Sequence, residues 1–210
     1  MADVKPRCRL YLQLPGALTA KLETLLAQAL AEADVACVLL GHDAAAIDED
    51  QVGRLIDLVQ TTGAACLIEG DVALAERLGA DGVHLAADPD TYRKARSLLG
   101  DGASIGAGCG LRRHEAMLLA ELGADYVGFG PSAPSDIDTI DDCAELIAWW
   151  SEIFVIPSVA FNIDRIDSAQ RLALLGADFI APSKLIWQDD DAVNRVAAIG
   201  RAISEIRRAA

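Results

Sequence analysis

Two hydrophobic periods alternate along the chain. Short apolar runs occupy 8–14 (CRLYLQL), 36–41, 64–70, 81–85, 103–109, 125–130, 154–161 and 178–183. Between and after them, apolar positions recur at the helical spacing. In 17–33 these are Leu18, Leu22, Leu25, Leu26, Ala29 and Leu30, an i, i+3, i+4 stripe. Similar stripes cover about 48–61, 72–79, 89–99, 112–122, 140–150, 164–175 and 190–208. Strand–helix alternation repeated eight times predicts one (βα)8 TIM barrel spanning 1–210 as a single domain. A doubly wound open sheet is the alternative arrangement of the same units.

An internal echo supports closure. Leu78-Gly79-Ala80-Asp81 recurs as Leu122-Gly123-Ala124-Asp125 and Leu175-Gly176-Ala177-Asp178, with a weaker copy at Ala31-Glu32-Ala33-Asp34. Each ends a helix and begins an even-numbered strand. The Gly suits a left-handed helix stop. The Asp residues should therefore lie at the bottom of the barrel in structural roles, because chemistry in this fold sits at the opposite face.

Composition narrows the core. Apolar residues make up 52% of the 210 residues but aromatics only 5%, so strands and helices must pack through Ala, Val, Leu and Ile, as in parallel sheets covered on both faces. The net charge of −14 argues against nucleic acid and anionic membranes as partners. There is no signal-like N-terminal stretch and no run of ~18 apolar residues. Five scattered cysteines (Cys8, Cys37, Cys66, Cys109, Cys143) form no C-x-x-C pair. These features fit a reducing cytoplasm.

The strand ends nominate the site. They carry Gln13, Gly41-His42-Asp43, Glu69-Gly70-Asp71, His84 with Asp88, Gly108-Cys109-Gly110, Gly130 to Ser135-Asp136, Ser158 with Asn162, and Ser183-Lys184. Glu69 and Asp71 are the candidate acid–base groups. Gly130, Ser135, Asn162, Ser183 and Lys184 are the candidate substrate or phosphate contacts, since barrels often hold phosphate after strands 7 and 8. Asp71 and Asp88 are candidate ligands of Mg2+, which favours a few carboxylates plus phosphate oxygens. Both also fit the simpler role of helix N-cap, Asp88 with Pro89 behind it. Cys109 is a candidate exposed thiol without a visible base. His42 reads as a surface loop residue, and His84 as a hydrogen-bonded core histidine.

Several segments resemble thiamine-phosphate synthase and its thiazole-tautomerase relatives. The likeness is carried by Gly79-Ala80-Asp81-Gly82-Val83-His84-Leu85, Gly123-Ala124-Asp125-Tyr126-Val127-Gly128-Phe129-Gly130-Pro131, Ile156-Pro157-Ser158-Val159-Ala160 and Gly176-Ala177-Asp178. It covers nearly the whole chain. The resemblance implies a TIM barrel that joins a pyrimidine pyrophosphate to a thiazole phosphate with Mg2+, acting on phosphorylated small molecules, as a homodimer.

The chain departs from the family pattern at the mouth. Where strand 2 usually ends Gln-Leu-Arg-x-Lys, Val38-Leu39-Leu40-Gly41-His42 stands. The usual Asn-Asp of strand 3 is Glu69-Gly70, with Asp71 one place later. Gly108-Cys109-Gly110 replaces Ser-Thr-His or Ser-Val-His after strand 5. Ser135-Asp136-Ile137-Asp138 replaces Thr-Pro-Thr-Lys, and Phe161-Asn162-Ile163 replaces a Gly-Gly phosphate loop. The expectation is a thiamine-phosphate-synthase-like barrel that is weak or inactive in the coupling reaction. The alternatives are an enzyme of another reaction on a phosphorylated small molecule, gripped by Ser183 and Lys184, or a non-catalytic ligand-binding or partner protein whose mouth is filled by side chains such as Phe161 and Leu40.

Overall fold

A computed structural model describes residues 7–41, 48–131 and 137–206, with the side chains of the last segment described from residue 140. Eight parallel strands close into a barrel in chain order. They are β1 (Arg9–Gln13), β2 (Val35–Leu40), β3 (Ala65–Glu69), β4 (Gly82–Ala86), β5 (Ser104–Gly110), β6 (Tyr126–Phe129), β7 (Ser158–Phe161) and β8 (Phe179–Ala181). The helices that follow them are α1 (Ala20–Glu32), α2 (Glu49–Thr61), α3 (Val72–Leu78), α4 (Pro89–Leu99), α5 (Arg113–Glu121), α6 (Ile137–Ile153), α7 (Ile166–Leu175) and α8 (Ala192–Ser204). β1 pairs with β8 at Arg9–Phe179 and Leu10–Ile180, which completes the TIM barrel. Among the described residues no helix is long and apolar enough to cross a membrane.

Alternation along each strand divides the apolar residues in two. Leu10, Leu12, Val38, Leu40, Cys66, Ile68, Val83, Ile105 and Val127 point outward and pack under the helices. Tyr11, Cys37, Leu39, Leu67, Tyr126, Val159 and Ala181 point inward and fill the barrel. Leu40 therefore serves the helix layer, and Leu39 is the residue of that pair that faces the mouth.

The repeated Asp residues latch the bottom. Asp81 Oδ2 accepts the Cys66 N–H at 2.7 Å, Asp125 Oδ2 accepts the Ile105 N–H at 2.7 Å, and Asp178 Oδ2 accepts the Ser158 N–H at 2.8 Å. Each carboxylate at the start of an even strand thus satisfies an N–H of the preceding odd strand, a charge-assisted bond of about 1.5–3 kcal/mol. Asp34 differs: its Oδ1 accepts from Arg9 Nε at 2.8 Å. Gly79 and Gly176, ahead of two of these latches, sit in the left-handed region (φ 69° and 114°) where a side chain would be strained.

Two boundaries differ from the sequence pattern. β7 begins at Ser158, not 154. The Phe154 ring stacks on Trp150 at 3.9 Å, and Trp150 Nε1 donates to the Ile156 carbonyl at 2.7 Å, so 154–157 is drawn against α6. After β8 a short 3-10 helix (Lys184–Gln188) intervenes before α8. It is pinned to β1 by Trp187 Nε1, which donates to the Gln13 carbonyl at 2.7 Å.

Candidate active site at the barrel mouth

The floor of the mouth is a set of packed rings. Phe161 lies 5.0 Å from His84 and 5.3 Å from Tyr11, centre to centre. The hydroxyls of Tyr11 and Tyr126 are 2.8 Å apart, and His84 Nδ1 is 2.9 Å from the Tyr126 oxygen. Glycines on β5 and β6 make room for these rings. A Cβ at Gly106 would fall 2.0 Å from the Tyr126 ring, and one at Gly128 would fall 2.4 Å from Phe161. The rings separate two hollows. Beneath them an apolar cavity of about 200 Å³ is lined by Cys37, Leu67, Val159 and Phe179. Above them the mouth cavity holds about 190 Å³ between Gln13, Leu39, Glu69, His84, Gly130 and Asn162.

Burial sets the protonation of the floor. It pushes the Tyr11 and Tyr126 phenols well above their usual range. It pushes the His84 imidazole down to about 4, with the positive charge of Lys184 as a second cause. His84 is therefore neutral at neutral pH. One ring nitrogen engages Tyr126 and the other, Nε2, lies over Gly108 on the mouth side. A neutral imidazole there is able to donate or accept one hydrogen bond to a ligand. The sequence reading of His84 as hydrogen-bonded holds, but its place is the mouth floor.

The rim is held by polar pairs. Lys184 Nζ donates to Glu69 Oε2, joining the end of β8 to the end of β3. Their side chains are 34% and 39% exposed, so water and small solutes reach the pair. Gln13 Nε2 donates to the Pro182 carbonyl at 2.9 Å. Asn162 is the one non-glycine residue with positive φ (64°) among the described residues. Its Nδ2 donates to the Pro131 carbonyl at 2.9 Å, which ties the turn after β7 to the end of β6. Gly130 is packed against that same turn: a Cβ there would lie 2.4 Å from the Phe161 carbonyl oxygen.

Other nominated residues have different occupations. Ser183 is 2% exposed and gives both of its donors to Asp164: the N–H to Oδ1 and the hydroxyl to Oδ2, each at 2.7 Å. Asp71 caps α3 by accepting the Leu74 N–H at 2.9 Å. Asp88 caps α4 by accepting the Thr91 N–H at 2.8 Å. Neither carboxylate lines the mouth cavity, and the described residues contain no cluster of three or more His, Cys, Asp or Glu side chains that fits a metal ion. Cys109 is buried, not exposed, and burial pushes its thiol up to about 12. Ser135 and His42 lie outside the described residues.

Sequence reasoning missed Asp164. Its local pattern is that of a polar residue shortly before a helix. The only signal available was the adjacency of strands 7 and 8 in a closed barrel, which brings the turn after β7 beside Ser183. The carboxylate's direction is set by that turn, through the positive φ of Asn162 and the Ile163 N–H bonded to the Ala181 carbonyl at 3.1 Å.

Comparison with known proteins places this geometry in context. The family model described as thiamine monophosphate synthase matches residues 10–186. A thiamine-phosphate synthase of Rhodospirillum centenum is 36% identical over 96% of this chain and 97% of its own. One of Erythrobacter litoralis is 42% identical over 69% of this chain and 72% of its own. Among solved structures, a thiamine phosphate pyrophosphorylase from Pyrococcus furiosus superposes with a TM-score of 0.77 at 23% identity, covering 94% of this chain and 96% of that one.

Proposed function

The chain belongs to the thiamine monophosphate synthase family, and from that premise we propose that it is a small-molecule barrel of the cytoplasm, weak or inactive in coupling a pyrimidine pyrophosphate to a thiazole phosphate. One observation carries this reading. The donors that a phosphate would use at the end of β8 already hold the chain's own carboxylates, Ser183 on Asp164 and Lys184 on Glu69. The cations that the family pattern supplies after strand 2 are also replaced by Val38-Leu39-Leu40-Gly41-His42. Each charge-assisted hydrogen bond withdrawn from a pyrophosphate costs about 1.5–3 kcal/mol. Three such losses slow the reaction by roughly three to seven powers of ten.

Mg2+ is the cofactor the family implies, through Asp71 and Asp88. As folded, both carboxylates cap helices and neither lines the mouth cavity, so they do not fit an ion shared there. A homodimer is the assembly that the family implies. The deciding experiment supplies hydroxymethylpyrimidine pyrophosphate, thiazole phosphate and Mg2+ and follows thiamine phosphate. The expected result is a rate at least a thousandfold below 1 s⁻¹, the low end of ordinary turnover. Turnover of about 1 s⁻¹ or faster overturns the reading.

The neutral His84 beside the Glu69–Lys184 pair favours a second reading, an enzyme of another reaction. In it Lys184 leaves Glu69 for the phosphate of a small molecule, and Glu69 or His84 moves the proton. Unchanged turnover in both Lys184→Ala and Glu69→Gln, on whatever substrate is found, would count against it.

A further inference from the structure

The turn after β7 carries a carboxylate to the end of β8. Asp164 meets Ser183 with both oxygens, one on a backbone N–H and one on a hydroxyl, each at 2.7 Å. Phosphate oxygens are held in the same way, by loop amides and hydroxyls after the last two strands of such barrels. Ser183 is buried, so its donors have no water to turn to and need an anionic or neutral acceptor from somewhere. The chain supplies that acceptor itself.

We propose that Asp164 is a built-in anion that closes the β7–β8 end to phosphate, and so determines specificity there. The ligand group that meets this end is uncharged or cationic. Removing the carboxylate converts the same donors into a phosphate site. Space and charge both favour the conversion. A cavity of about 390 Å³ adjoins Asp164, lined also by Asn162, Arg165, Ser168 and Arg171. Arg165 and Arg171 each hold an Asp on that wall, Asp167 and Asp141, at 2.6 Å. With Asp164 the charged groups lining the cavity sum to −1; without it they are balanced. An anion taking the place of the Asp164 carboxylate then meets two guanidinium groups on the cavity wall, with no third carboxylate opposing it.

The inference rests on reading this end of the barrel as ligand-facing, but its test does not require synthase activity. Inorganic phosphate and, in a parallel arm, ethyl phosphate are titrated into the wild-type chain, Asp164→Ala and Asp164→Ala/Ser183→Ala. Binding is followed by calorimetry and by the shift in melting temperature. Asp164→Ala is expected to bind at least one of the two probes tenfold or more tighter than wild type, and the double variant, which keeps the backbone N–H but lacks the hydroxyl, to lose at least threefold of that gain. A gain with inorganic phosphate alone marks a site for the free ion; a gain with ethyl phosphate marks one for a monoester. If Asp164→Ala folds only when phosphate is added, that rescue supports the proposal. Asp164→Asn, which keeps the shape and drops the charge, serves as the second variant and is expected to gain at least threefold. Equal binding by wild type and both single variants overturns the proposal, as does a gain that Ser183→Ala leaves undiminished. Synthase turnover by the wild type would sink the proposed function, whereas the phosphate titration reads on Asp164 alone.

Discussion

His84 shows how one buried contact fixes the chemistry of a side chain. Its imidazole is pushed down to about 4 by burial and, secondarily, by Lys184. Between pH 6.5 and about 4 the unfolded chain takes up a proton at this position and the folded chain does not. Stability contributed by His84 is therefore fully present above pH 6.5 and is lost as pH falls toward 4. His84→Gln should flatten the fall in unfolding free energy over that window relative to wild type, measured by urea denaturation at pH 7 and pH 4.5. Carboxylates common to both proteins cancel in the difference. An NMR titration of the His84 ring should give a midpoint near 4; a midpoint of 6 to 7 would show a solvated imidazole. The sequence placed His84 at a strand end but could not reveal the hydroxyl of Tyr126 beside Nδ1. That contact joins β4 to β6 across the barrel interior, a distance in space that periodicity does not encode.

At the scale of elements, the short apolar runs and the period-3.6 stripes located the eight strands and the eight α-helices but not the 3-10 helix after β8, because burial against a second layer leaves its imprint on each longer element. Their ends were less legible. The run 154–161 is apolar but for Ser158, yet its first half is a loop in which the Phe154 ring and the Ile156 carbonyl meet Trp150, and apolarity alone does not distinguish loop from strand. Asp71 and Asp88 were ambiguous for a similar reason: a carboxylate before a helix suits both a cap and a cation, and only the direction of its oxygens decides. The repeated Asp latches were legible as bottom-face structure, and their acceptor role follows from strand adjacency. Asp125→Ala leaves the Ile105 N–H without its acceptor in a residue with no solvent exposure and also removes the carboxylate that Arg96 meets at 2.6 Å, while its bonds to the Gly100 and Ala103 carbonyls remain. It should lower the unfolding free energy by about 1–3 kcal/mol, read from chemical denaturation, while leaving ligand binding at the mouth unchanged.

The whole molecule carries a net charge of −14, so its folded state gathers like charge that the expanded chain spreads out. Salt shortens the reach of that repulsion to about 10 Å at 0.1 M. The urea midpoint should rise between 0.02 M and 0.5 M NaCl; a fall would mean that surface ion pairs such as Arg77–Glu49 outweigh the general repulsion. The closed order of strands and the three latches have one more consequence, for connectivity. Asp81 binds β4 to β3, Asp125 binds β6 to β5, and Asp178 binds β8 to β7, so three pairs of strands carry a carboxylate latch besides their backbone ladder. New termini opened at the exposed Asp101-Gly102 turn, between α4 and β5, fall between two latched pairs. A circular permutant cut there should fold, whereas one cut inside α5 separates β5 from the carboxylate that fastens it and should be markedly less stable.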